Sequence, residues 1–182
     1  MAQIFVLFAI MVAACVSAFS QTTTIDYSGK WTLDVAASKL GERQNIESMT
    51  MTVTQTDKEL KIETVTKRAA PPEGGIAQGG RGGGMGRGGG MGRGGDGITT
   101  YSLDGKETSV DMESPMGPIP VKYQAKKDGA VLKLSQTRTI NTMTLSTKDE
   151  WSLSQDGKTL TVKREMTTPR GTNSSTMVFK KS

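Results

Sequence analysis

The sequence contains no histidine and a single cysteine, Cys15. Without imidazole there is no Ser-His-Asp triad, no proton shuttle tuned near neutrality and no His-ligated metal. One thiol supports neither an internal disulfide nor a zinc cluster. Aromatic residues make up only 5% of the chain and apolar residues 35%, while Thr and Ser abound, a balance that suits antiparallel strands with one wet face. No window after residue 48 shows the three-to-four apolar spacing of a helix. Carboxylates are present, but Asp111 and Glu113 share a strand face opposite Met112, and Asp149 and Glu150 adjoin Trp151. On strands whose other face is apolar, these acids are expected to point to water and not to form an acid–base pair. The expectation is a protein that is not an enzyme and carries no cofactor or metal.

What the sequence does contain is alternation. In Trp151-Ser-Leu-Ser-Gln-Asp-Gly-Lys-Thr-Leu-Thr-Val162, Trp151 and Leu153 alternate with serines, Asp156-Gly157 turns the chain, and Leu160 and Val162 alternate with threonines. Period-two alternation on both sides of an Asp-Gly turn predicts a β-hairpin, because Gly accepts the positive φ that the turn demands. Variations on this unit recur at Asp57-Lys58, Asp104-Gly105 and Asp128-Gly129, and the last hairpin turns at Thr168-Pro-Arg-Gly171. Tyr27, Trp31, Leu33 and Val35 share one face of the first strand, and residues 36–47 read as a loop or short helical turn. The count is about nine or ten short strands in up-and-down order, and closure into a barrel removes the exposed edges that a flat sheet of this size would leave. Met49, Met51, Met112, Met116, Met143, Met166 and Met177 fall mostly at inward positions, where a flexible thioether fills core space more readily than it gathers a soft metal such as Cu(I).

The first twenty residues are uncharged, and Ile4 to Val16 is an unbroken apolar run. At about 13 residues it is shorter than the roughly 20 of a spanning helix, so it reads as a signal-peptide core. Ala18-Phe19-Ser20 places cleavage before Gln21, giving a leader at 1–20 and a single domain at 21–182. Two other readings stand beside this one. Val12-Ala-Ala-Cys15 resembles a lipobox, in which Cys15 would carry a lipid anchor, or the segment is retained. Cleavage or lipidation takes the protein to the periplasm or outside the cell, free or anchored to the envelope.

Residues 74–97 break the pattern. Gly80-Arg-Gly-Gly-Gly-Met85 repeats as Gly86-Arg-Gly-Gly-Gly-Met91, then Gly92-Arg-Gly-Gly-Asp96. So much glycine predicts a disordered loop between two strands. Arg81, Arg87 and Arg93 resemble RGG boxes, but there is no interleaved aromatic for bases to stack on. The formal net charge of +5 is spread along the chain. Neither feature makes a nucleic-acid footprint, and Arg81, Arg87 and Arg93 read instead as surface-interaction residues.

Gly29-Lys-Trp31 resembles the Gly-x-Trp that opens the first strand of lipocalins. With Tyr27–Asp34, Tyr101–Lys106, Glu150–Val162 and Thr168–Gly171, the chain is similar to small secreted bacterial lipocalin-like proteins of uncharacterised function. The resemblance implies an all-β, lipocalin-like barrel and a small apolar ligand held in its mouth by Trp31, Leu33, Met51, Tyr101, Tyr123 and Trp151. The Thr-Asp-Tyr-like motif and C-terminal helix of lipocalins proper are absent. A second reading is a filled barrel that displays the Gly/Arg-rich loop at a cell surface. An interior cavity above about 300 Å³ separates the two.

Overall fold

The computed structural model describes residues 25–41, 45–69, 96–114 and 117–182. The leader with Cys15, Met116, and Arg81, Arg87 and Arg93 with most of the Gly/Arg tract lie outside the described residues. Ten strands follow in order: β1 (Gly29–Leu33), β2 (Ile46–Gln55), β3 (Glu59–Arg68), β4 (Gly97–Ser102), β5 (Thr108–Met112), β6 (Ile119–Asp128), β7 (Val131–Ile140), β8 (Met143–Leu153), β9 (Thr159–Thr168) and β10 (Gly171–Lys181). All form one antiparallel sheet, in the order β4-β3-β2-β1-β10-β9-β8-β7-β6-β5. The expected meander is therefore present, wound so that β1 zips onto β10 and the first and last strands lie in the middle of the sheet. Val35 departs from the expected face: β1 stops at Leu33, and Val35 enters a turn, 41% exposed.

The barrel closes without a ladder at its last seam. β4 pairs only with β3, and β5 only with β6. Where β4 approaches β6, the Tyr101 and Tyr123 rings meet edge to face at 5.5 Å, and Gln124 Nε2 donates to the Gly105 carbonyl at 2.9 Å. Aromatic contact takes over from backbone pairing at this end of the seam. Towards the other end β4 and β5 stand apart. Ile98 and Val110 flank that opening and are 60% and 56% exposed.

The closed end is plugged by the residues that precede β1. Trp31 is wholly buried, and its Nε1 donates to the Tyr27 carbonyl at 2.9 Å. Tyr27 crosses to the far wall, stacking edge to face on Trp151 at 5.8 Å and donating to the Trp151 carbonyl at 3.3 Å. Gln55 straps this lead in place, accepting from Tyr27 N and donating to the Ile25 carbonyl. Gly29 has φ +138°, which L side chains rarely adopt, and Lys181 lies over it with Nζ 5.2 Å from the Trp31 ring centroid. Gly29→Ala is expected to cost about 1–3 kcal/mol in urea unfolding, mostly from the backbone. Lys181→Ala, which loses only an exposed cation–π contact, is expected to cost no more than about 1 kcal/mol. Equal losses would place the strain in the Lys181 side chain instead.

Two turns at the closed end share a built-in hydrogen-bond pattern. In Ser102-Leu-Asp-Gly-Lys106 the Asp104 carboxylate accepts from the Lys106 N–H and the Ser102 hydroxyl; in Ser154-Gln-Asp-Gly-Lys158, Asp156 accepts from the Lys158 N–H and the Ser154 hydroxyl. These bonds hold both carboxyls below their ordinary value of 3.8. A carboxyl lowered on folding contributes stability above its unfolded pKa and loses it as pH falls through the folded one. With no histidine to titrate, the melting temperature is expected to stay level from about pH 8 to 5 and fall below about pH 4. Replacing Asp104 and Asp156 together by Asn should flatten that acid limb in thermal melts by circular dichroism. An unaltered limb would assign it to other acids.

Candidate functional site

Inward-facing side chains divide the barrel into two halves. Around the closed end they are apolar: Leu33, Val53, Leu60, Leu132, Leu160 and Phe179 pack with the plug. Farther along the same strands, the same parity places Thr64, Gln136, Arg138, Thr147, Asp149 and Arg164 on the interior wall. Between these halves lies a cavity of 440 Å³, reaching from Trp151 and Phe179 to the gap flanked by Gly97, Ile98, Val110 and Met112. That volume is within the usual range of small-molecule sites.

Of the six residues expected at a ligand site, Met51, Tyr101, Tyr123 and Trp151 line this cavity. Trp31 and Leu33 do not; they are buried beneath it in the plug. Among the methionines, Met49, Met51, Met112, Met166 and Met177 border the cavity, whereas Met143 is half exposed beyond it. Among the described residues, no group of three or more His, Cys, Asp and Glu side chains is placed to hold a metal ion.

Asp149 does not point to water. It is on the inward face of β8, its side chain 8% exposed, and Arg164 of β9 donates to it from Nε and Nη2, both at 2.7 Å. Glu150 and Asp111 are exposed as expected. Burial lowers the Arg164 pKa, but the Asp149 charge and hydrogen bonds outweigh it and leave it raised. Burial likewise pushes the Tyr101 phenol up, helped by the Asp149 charge and opposed by Arg164, so Tyr101 stays protonated. The signal for this pair was available. Asp149 is two residues before buried Trp151, and counting outward from the Asp156-Gly157 turn sets Leu153 opposite Leu160 and therefore Asp149 opposite Arg164. Assigning charged side chains to solvent by type overrode their strand parity.

Arg138 is the other guanidinium that lines the cavity among the described residues. It stands on β7 opposite Val121 of β6 and Leu145 of β8. Tyr123, two pairs nearer the closed end, faces Gln136 across the β6–β7 ladder. Its phenol pKa is raised by burial and opposed by the Arg138 charge, so Tyr123 too keeps its proton.

No protein-family model matches the chain, and no curated protein matches it in sequence. Solved structures do. A secretory abundant heat soluble protein from Ramazzottius varieornatus aligns over 87% of this chain and 98% of its own, with TM-score 0.52 and 12% identity. Zebrafish ileal bile acid-binding protein complexed with cholic acid aligns over 86% and 98%, with TM-score 0.44 and 14% identity. A Schistosoma mansoni fatty acid binding protein in complex with arachidonic acid aligns over 86% and 96%, with TM-score 0.44 and 16% identity. The first establishes the fold; at the scores of the other two nothing about a ligand carries over. The chain is an all-β, ten-stranded antiparallel barrel of the lipocalin-like kind, nearly closed, and no helix among its described residues is long and apolar enough to cross a membrane.

Proposed function

We propose that this is a non-enzymatic binding protein, exported by the apolar leader at 1–20, that holds a small and mostly apolar molecule inside its barrel. One observation carries the reading: the interior holds a 440 Å³ cavity between an apolar floor and a lateral opening. A barrel serving only as a display scaffold has no need of such a space, since side chains fill small barrels at native density. Titratable groups on the cavity wall are engaged in ways that suit holding rather than reacting. Asp149 is tied to Arg164, and both tyrosines keep their protons. Met49, Met51, Met166 and Met177 give the wall a surface that repacks around guests of differing shape.

Native mass spectrometry of protein purified from its source, before and after organic extraction, tests this. The expected result is an added mass of a few hundred daltons that extraction removes. A bare mass in both states, with no uptake of 1-dodecanol, dodecanoate or dodecyl phosphate added afterwards, would overturn the reading in favour of a barrel that displays the Gly/Arg-rich segment.

A further inference from the structure

Among the described residues two guanidinium groups border the cavity, and they are not equivalent. Arg164 is held by Asp149 through two hydrogen bonds, so its charge is met within the wall. Arg138, on the inward face of β7, has no ion-pair or hydrogen-bond partner among the described residues. A cation retained at a half-buried inward position without a counter-ion is costly unless water or a ligand satisfies it. The carboxylates bordering the opening, Asp96 and Asp111, are exposed and face solvent, where their charge is screened. Resting on the binding reading above, we propose that the guest is a single-chain anionic amphiphile whose oxyanion head is taken by Arg138 at the open end while its tail descends to Trp151.

The strand register sets the polarity. Arg138 is four residues beyond Leu134, which faces Asp149, and six beyond Leu132, which faces Trp151. At ~3.3 Å per residue the head site stands about 20 Å along the strand from the level of Trp151. A guanidinium fork matches the two oxygens of a carboxylate or phosphate, and the protonated Tyr123 hydroxyl and the Gln136 amide beside it add neutral donors. The tail meets Met51, Leu134, Val162 and Phe179. A 440 Å³ space takes about 15 groups at ~30 Å³ each, enough for one twelve-carbon chain with its head. Because Asp149 neutralises Arg164, the middle of the cavity does not compete for the head.

Isothermal titration with dodecanoate, dodecyl phosphate and 1-dodecanol tests the head. The protein is expected to bind at least one of the two anions about tenfold or more tighter than the alcohol. Arg138→Gln should weaken that anion about 10–100-fold while leaving the alcohol within about twofold, and Arg138→Lys, which keeps the charge but not the fork, should restore part of the preference. Whichever anion wins distinguishes a carboxylate from a phosphate ligand. Equal binding of alcohol and anions, or an Arg138→Gln variant that keeps the preference, overturns the inference while leaving the binding reading intact. Failure of all three to bind overturns both. Orientation has its own readout, since Trp31 and Trp151 both lie towards the closed end. Bromine at carbon 12 of dodecanoate is expected to quench tryptophan fluorescence more than bromine at carbon 2, and the reverse order would place the head at the floor.

Discussion

Trp31→Ala is expected to lower the free energy of unfolding by about 3–5 kcal/mol, as complete removal of a fully buried indole does. Trp31 has no exposed surface, pairs with Met51 on one side and Lys181 on the other, and ties the lead to β1 through its hydrogen bond to Tyr27. Those contacts join β1 to both β2 and β10, the place where the two ends of the described chain meet. Removing the ring leaves the Tyr27 carbonyl without its donor, a further cost of about 1 kcal/mol that Trp31→Phe should show by itself. Urea denaturation followed by circular dichroism measures both. A loss below about 1 kcal/mol for Trp31→Ala would mean that the barrel end closes without this plug.

Asp149→Ala should produce the second large effect. It strands the Arg164 guanidinium in the wall, and breaking one partner of a buried pair costs about 3–5 kcal/mol. The lower end of that range applies here, because Arg164 keeps 25% of its side chain open towards the cavity. The double replacement Asp149→Leu with Arg164→Met is expected to recover most of the loss, since an apolar pair of similar size forgoes the desolvation of both charges. The full cycle yields the coupling between the two sites. If the double variant is no better than Asp149→Ala alone, the charge pair is not the origin of the effect and the aspartate acts through packing.

Together these variants probe the two halves of one interior. The plug around Trp31 bears on stability and is remote from the cavity mouth. The pair at Asp149 lies on the cavity wall and governs how much positive charge a guest meets there. A Trp31 variant should therefore change the denaturation midpoint far more than ligand preference, while a charge change at Asp149 should move both.

How much of this was legible beforehand follows from how far apart in the chain the relevant residues lie. Hairpins are local: Asp156-Gly157 and Asp128-Gly129 set the register of the strands beside them, and alternation assigns Trp31, Trp151, Leu160 and Val162 to the inside. The Asp149–Arg164 pair belongs to the same legible set, because it follows by counting from a turn. Cavity lining was readable only in part. Parity puts Trp31 and Met51 on one face as cross-strand neighbours, yet one lies in the plug and the other on the cavity wall. They share one rung of the β1–β2 ladder, and what separates them is which distant parts of the chain pack in front of each, which no local pattern encodes.

The amino-acid sequence by itself determined the strands, their turns and the side of the sheet each residue faces, because those depend on neighbours two to ten positions away. Only the tertiary structure decided that β4 meets β6 through Tyr101 and Tyr123 while β5 stands off, and that Arg138 finds no ion-pair partner among the described residues and borders an open space. Closing a ten-stranded sheet brings together residues far apart in the chain, and the stagger at which the two edges meet is a property of the whole ribbon rather than of any one hairpin.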